Sequence, residues 1–103
     1  MRLSHNYYAY IIQCSDKSYY VGITNDLERR ILEHNEGLDP RCYTFPRRPV
    51  ILKHFEQFTN PMEAIAREKQ LKGWSRKKEE ALISENYELL QELSKKHPST
   101  SSG

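Results

Sequence analysis

Two short apolar stretches near the amino end are separated by turn-forming residues. Residues 7–14 are rich in aromatic and β-branched side chains, which suit a half-buried strand, and residues 19–23 have the same character. The four residues between them favour a turn, so the pattern predicts a β-hairpin. Strand alternation gives each strand one face with aromatic residues: Tyr8, Tyr10 and Ile12 on the first strand, and Tyr20 and Gly22 on the second.

A helix is predicted after the hairpin, near residues 26–35. N-cap candidates precede Leu27 and Ile31, which stand at helical spacing, and Gly37 is a suitable carboxyl-terminal stop. Arg30 and His34 lie four residues apart and so point the same way. We expect both at the rim of the apolar stripe and outside the core.

Beyond this helix the pattern predicts a loop, a strand and three helices. Two interior prolines break residues 37–49, whereas residues 50–58 return to a strand-like composition. Asn60 followed by Pro61 is a strong helix start, and this second helix should end near Gly73. Ser75 can cap a short third helix. Apolar residues at helical spacing predict a final amphipathic helix: Tyr87, Leu89, Leu90 and Leu93.

These elements predict an α+β domain with a small, three-stranded, mostly antiparallel sheet flanked by helices. A chain of 103 residues is long enough for one modest core. We expect a single domain over residues 1–93. The polar tail over residues 94–103 should be disordered.

The composition favours a polar ligand over an apolar one. Apolar residues make up 37% of the chain and charged residues 29%, so the core is thin and the surface highly charged. The formal net charge is only +2, but the basic residues are clustered, with six of them between Arg67 and Lys78 against the single acid Glu68. Such clusters can face phosphates, although most charge runs are solvated surface.

Cysteine usage and hydropathy bear on the compartment. Cys14 and Cys42 form no metal-type pair, and with no secretory signal ahead of them we expect both to be reduced. No window of the sequence approaches the length and hydropathy of a membrane span. These observations predict a cytoplasmic protein that does not enter a membrane.

Several segments together resemble the signature of the GIY-YIG nuclease superfamily, in particular its small stand-alone bacterial branch. The resemblance runs from about residue 7 to 83. It rests on Tyr8-Ala9-Tyr10, on Tyr20-Val21-Gly22, on Leu27, Arg30 and His34, and on Glu68. The first triplet keeps only its final tyrosine, and the second is nearly intact.

The resemblance implies phosphodiester hydrolysis at a site formed by five residues: Tyr10, Tyr20, Arg30, His34 and Glu68. The resemblance does not fix which tyrosine takes the proton. We expect Tyr20 to orient or deprotonate the attacking water, helped by a nearby cation because a free phenol has a pKa near 10. Arg30 would stabilise charge on the phosphate. Glu68 would be the ligand of Mg²⁺ (or Mn²⁺).

The two remaining residues have supporting roles in this scheme. Tyr10 would hydrogen-bond the phosphate or the water network beside it. His34 would contact the scissile region or hydrogen-bond a tyrosine hydroxyl.

Each member of this set also has an ordinary structural explanation. Facing tyrosines commonly form a cross-strand aromatic pair, and Glu68 with Lys72 has the spacing of a surface ion pair. Arg30 could be a solvated helix residue, and a lone histidine is seldom functional. The joint occurrence of all five, in one family's order and spacing, favours the nuclease interpretation.

Further basic and aromatic residues are candidates for nucleic-acid contact. An indole among cations can stack on a base or sugar while the cations follow the phosphate backbone. A tryptophan that closes the core, and an arginine that buttresses the loop before Pro49, are the alternatives. The candidates are Arg47, Arg48, Lys72, Trp74, Arg76, Lys77 and Lys78.

The predicted function is Mg²⁺-dependent endonucleolytic cleavage of DNA, with weak sequence specificity or structure selectivity. No appended recognition domain is evident, which favours that limited specificity. DNA repair or recombination is the role expected for the family. The alternatives are an inactive nucleic-acid-binding adaptor with the same fold, and an RNA-directed nuclease.

Overall fold

A three-stranded antiparallel sheet organises the first part of the chain. The computed structural model describes residues 6–95, which form two units that divide after Lys72. Strands β1 (Tyr7–Gln13), β2 (Tyr19–Thr24) and β3 (Ile51–Phe58) lie in the order β2-β1-β3. Both pairings are antiparallel. The predicted α+β class and three-stranded sheet are confirmed.

The register of the sheet sets the relation between the two tyrosines. Tyr10 pairs with Gly22 on one side, whereas Tyr20 pairs with Ile12. The two tyrosines therefore share a face of the sheet as diagonal neighbours and are not directly opposite each other. A β-bulge lies between Ile11 and Ile12 in the pairing with β3.

Two helices of the first unit begin where capping residues predict. Helix α1 spans Leu27–Glu36: the Asp26 carboxylate accepts from the Arg29 backbone N–H, and the helix ends at Gly37 with a left-handed φ of 69°. Helix α2 spans Pro61–Lys72. The loop before β3 contains a short 3₁₀ turn at Phe45–Arg47.

The second unit is helical in the residues that the structure describes. Helix α3 spans Arg76–Ile83 and is capped by the Ser75 side chain, and helix α4 spans Tyr87–Lys95. Helix α4 thus includes two residues that were expected in the disordered tail, and residues 96–103 lie outside the described part. Between residues 6 and 95, no helix has the length and apolar character needed to cross a bilayer.

The two faces of the sheet are covered differently. On one face, Tyr10, Ile12 and their neighbours pack against Leu27 and Ile31 of α1. On the other face, Glu56 of β3 forms two hydrogen bonds with Arg67, which places α2 on that side. Tyr10 and Tyr20 therefore face the α1 side.

Candidate active site

Tyr10 is buried at the centre of the sheet and points toward α1. Its side chain fits because Gly22 stands opposite: a Cβ added there would lie 2.5 Å from Tyr10 Cζ and closer still to the hydroxyl oxygen. Tyr10 is 1% exposed, and its hydroxyl lies 2.9 Å from His34 Nε2. Burial raises the Tyr10 pKa to about 12, although Arg30 opposes the rise. Tyr10 is therefore a neutral phenol that is shielded from solvent.

The sequence prediction that His34 lies at the rim of the apolar stripe is wrong, because His34 is buried. It is 4% exposed. Its spacing from Leu27 and Ile31 is i, i+4, i+7, so it continues the apolar stripe. Its two ring nitrogens are both satisfied, at 2.9 Å from the Tyr10 hydroxyl and 2.9 Å from Thr44 Oγ1. Burial, and then Arg30, lowers the His34 pKa to about 4, so the ring is neutral at pH 7.

Tyr20 is half-buried and is held by two rings. It stacks on Tyr43, with centroids 6.2 Å apart and planes 14° apart, and it meets His34 edge-on at 5.4 Å. Burial raises the Tyr20 pKa, while Lys72 and Arg30 act in the lowering direction. Without further positive charge, Tyr20 is a neutral group that can orient a water.

Arg30 lies on the same side of the sheet as the two tyrosines. Its side chain is 37% exposed, and its Nη1 is 3.2 Å from Glu33 Oε1. The positive charge of Arg30 acts in the lowering direction on the pKa values of both tyrosines, against the larger effect of burial. Four of the five predicted catalytic residues, all except Glu68, are thus brought together on the α1 side.

Glu68 lies on α2, the helix of the opposite side. Its side chain is 15% exposed and forms an ion pair with Lys72, with Nζ and Oε2 3.1 Å apart. Lys72 is in turn close enough to Tyr20 to lower its pKa. Residues 6–95 contain no cluster of three or more potential metal-binding side chains. A single carboxylate fits only a metal that takes its other ligands from water and phosphate, which is the habit of Mg²⁺.

Two of the basic candidates for DNA contact lie in the loop before β3 and are engaged by other residues of the protein. Arg47 Nε is 3.1 Å from Asp16 Oδ2, and its guanidinium lies 3.8 Å from the centroid of the Tyr43 ring. Arg48 donates to the Phe45 carbonyl at 2.7 Å and covers the Phe45 ring. These contacts fit a structural role, in which an arginine supports the loop before Pro49, better than contact with nucleic acid.

The other candidates lie at and beyond the end of α2. Lys72 is described above, and Lys77 is exposed. In the second unit, Lys78 Nζ lies 5.3 Å from the centroid of the Trp74 ring, and Arg76 pairs with Glu80 at 3.0 Å. Their contact with nucleic acid stays a prediction.

Three residues that touch the site had no counterpart in the sequence prediction. Thr44 is 1% exposed and bonds His34, Tyr43 stacks on Tyr20, and Cys42 accepts a hydrogen bond from the Thr44 hydroxyl at 3.3 Å. All three lie in an irregular loop, where no hydrophobic period marks a buried position.

Comparison with known proteins identifies the family of this chain. The family model of the GIY-YIG catalytic domain matches residues 6–81. The chain therefore belongs to the GIY-YIG nuclease superfamily, whose substrates are nucleic acids.

Within that superfamily the chain is a member of the UPF0213 family. A UPF0213 protein of Bacillus pumilus is 44% identical over 81 residues, covering 79% of this chain and 82% of that one. A UPF0213 protein of Halobacterium salinarum is 47% identical over 77 residues, covering 75% of this chain and 99% of that one.

Solved structures of similar proteins share the fold. The solution NMR structure of a UPF0213 protein from Bacillus halodurans is 40% identical, with a TM-score of 0.51, and covers 77% of this chain and 83% of that one. The solution NMR structure of a protein from E. faecalis is 32% identical, with a TM-score of 0.54, and covers 99% of this chain and 100% of that one.

Proposed function

We propose that this protein is a metal-dependent endonuclease that hydrolyses phosphodiester bonds in DNA. The observation that carries the proposal is that a half-buried Tyr20 and a partly exposed Arg30 lie on the same side of the sheet as the buried Tyr10 and His34. On one side of the sheet, a hydroxyl can orient a water while a permanent cation binds a phosphate.

In this proposal the work is divided between two partly exposed and two buried residues. Arg30 stays charged and donates in a fork, so it would bind the scissile phosphate and stabilise the charge that develops on it. Tyr20 would accept a hydrogen bond from the attacking water or donate one to it. Tyr10 and His34 are shielded from solvent and would support these two groups without touching the substrate.

Glu68 would hold Mg²⁺ or Mn²⁺ through its carboxylate. A bound ion would lower the pKa of a coordinated water and would add positive charge on the α2 side, from which Lys72 acts in the lowering direction on the Tyr20 pKa. Lys72 now neutralises this carboxylate, so metal binding would release the Lys72 ammonium toward the phosphate backbone.

Sequence specificity is expected to be weak. The basic candidates of α2 and the second unit would contact phosphates, which position a nucleic acid without identifying its bases. Cleavage should therefore fall with added salt and depend on DNA structure more than on sequence. DNA repair or recombination is the corresponding cellular role.

Cleavage of labelled linear, nicked and branched DNA, with Mg²⁺ or with EDTA, tests the proposal. We expect Glu68→Gln and Tyr20→Phe to lower the Mg²⁺-dependent rate by about 10² or more, the usual cost of removing one catalytic group. Matched controls are Glu63→Gln on the same helix and Tyr87→Phe, where the tyrosine is 58% exposed. Equal cleavage by all five proteins would indicate a contaminating nuclease and refute the assignment.

Two other outcomes decide between the alternatives. Metal-independent DNA binding by fluorescence anisotropy, with no cleavage by the native protein, would establish the adaptor. Faster cleavage of a matched RNA than of DNA would establish an RNA-directed nuclease.

A further inference from the structure

Behind Tyr10, three side chains form a continuous hydrogen-bonded series. The Thr44 hydroxyl donates to Cys42 Sγ at 3.3 Å, and its oxygen lies 2.9 Å from His34 Nδ1. His34 Nε2 lies 2.9 Å from the Tyr10 hydroxyl. Thr44, His34 and Tyr10 are each less than 5% exposed, so each polar group needs a hydrogen-bond partner inside the fold.

The direction of each further bond follows from the donation by Thr44 to Cys42 Sγ, because each group behind it has one hydrogen to give. A threonine hydroxyl has one hydrogen, and Thr44 directs it to Cys42. Its oxygen must then accept from His34, which requires the hydrogen of the neutral ring to be on Nδ1. Nε2 is left with a lone pair, so Tyr10 must donate its single hydroxyl hydrogen to it. The Tyr10 oxygen then keeps its lone pairs free for a donor, and the Arg30 guanidinium, whose charge acts on the Tyr10 pKa, can only donate.

We propose that Thr44 is a positioning residue that selects the Nδ1–H tautomer of His34, and that it thereby keeps the Tyr10 oxygen available to the Arg30 guanidinium. With the opposite tautomer, Nε2–H would donate to the Tyr10 oxygen. The Tyr10 hydrogen would then have to turn away from His34, toward the side of Arg30. The contribution of this arrangement to catalysis rests on the proposed role of Arg30 in binding phosphate.

The tautomer can be measured without any assay of activity. Long-range ¹H–¹⁵N correlation spectra of the histidine-labelled full chain at pH 7 distinguish a protonated from an unprotonated ring nitrogen, and His34→Asn assigns the signals. We expect the native protein to carry the hydrogen on Nδ1. A native ring with the hydrogen on Nε2 would overturn the proposal, whatever the variants do.

Two substitutions of Thr44 test its hydroxyl group separately from the shape of its side chain. Thr44→Ser keeps the hydroxyl and should keep the Nδ1–H form, whereas Thr44→Val removes it and should shift His34 to the Nε2–H form. Thr59→Val, at an exposed threonine, is the matched control and should leave the ring unchanged. An unaltered Nδ1–H signal in a folded Thr44→Val protein would refute the role of Thr44. If Thr44→Val does not fold, the native spectrum still decides the tautomer on which the proposal depends.

Cleavage kinetics test the link to Arg30 separately. Loss of an orienting partner usually costs about 10- to 100-fold, so we expect a fall of that size in kcat for Thr44→Val and near-native kcat for Thr44→Ser. A shifted tautomer with unchanged kcat would refute the link to Arg30. Absence of cleavage by the native protein would refute the proposed function but not the tautomer assignment.

Discussion

Replacing Gly22 by alanine sets two physical effects against each other. Gly22 is a buried strand residue without a left-handed φ, so its backbone conformation is open to alanine. Alanine reduces the entropy of the unfolded chain and suits a strand better than glycine, which on its own would stabilise the protein by about 0.5–1 kcal/mol. The new Cβ, however, would stand 2.5 Å from Tyr10 Cζ.

The structure indicates that the steric effect dominates. Tyr10 must retreat by about 1 Å to restore ordinary van der Waals distance. It is 1% exposed and held by His34 at 2.9 Å, so such a movement strains the core and stretches the hydrogen bond. Overpacking costs about 1–3 kcal/mol. After the entropic gain, we expect Gly22→Ala to lower the free energy of unfolding by about 1 kcal/mol, and by no more than about 2.5 kcal/mol.

Urea unfolding of four proteins measures this effect: native, Gly22→Ala, Tyr10→Leu and the double variant. Because leucine lacks the ring atoms that clash, the cost of Gly22→Ala should vanish or reverse in the Tyr10→Leu background. A stabilising Gly22→Ala in the native background would refute the reasoning. An equal cost in both backgrounds would show that the glycine is needed for another reason.

Three further predictions follow from groups around the sheet. Burial lowers the His34 pKa from 6.5 to about 4, so only the unfolded chain gains this proton in that interval. Stability should therefore be full above pH 6.5 and fall by about 3 kcal/mol toward pH 4, and an NMR titration midpoint of His34 above pH 6 would contradict this. The hydrogen bond from His54, and then the interaction with Arg67, lowers the Glu56 pKa from 4.5 to about 2. Glu56→Gln should cost about 2 kcal/mol above pH 4.5 and progressively less toward pH 2, whereas a cost that does not change with pH in urea unfolding would show that the charge is immaterial. Tyr43→Leu removes the stack on Tyr20 and should destabilise the protein by about 1 kcal/mol and shift the ring-proton resonances of Tyr20; unchanged resonances would mean that Tyr43 does not hold Tyr20.

The elements of the fold were predictable because their signals are local. Asp26 accepts from the first turn of α1, Gly37 ends that helix in a left-handed conformation, and Ser75 caps α3. Alternation also assigned Tyr10 and Tyr20 to faces of their strands correctly. A cap or an alternation depends on neighbours within a few residues, which the sequence displays directly.

The pairing of the tyrosines and the contacts of the loop depend on distant residues. The β1–β2 register places Gly22, and not Tyr20, opposite Tyr10, and composition alone does not fix such a register. Residues 38–44 turn back so that Thr44 reaches His34, ten positions away, through a segment without periodicity. Thr44 in isolation has the appearance of an ordinary polar loop residue.

The burial of His34 shows that a residue of the family signature can support the site without contacting DNA. Tyr10, Tyr20, Arg30 and His34 recur together in the signature, yet in this fold two of them are less than 5% exposed and the other two reach toward solvent. A buried polar pair must be fully hydrogen-bonded, so substitution of either member leaves an unsatisfied partner and disturbs the groups in front of it. Loss of activity in such a variant would therefore not show that the residue touches DNA. Residues that orient the site can be distinguished from residues that contact DNA only by measurements that report on orientation alone, such as the tautomer of His34.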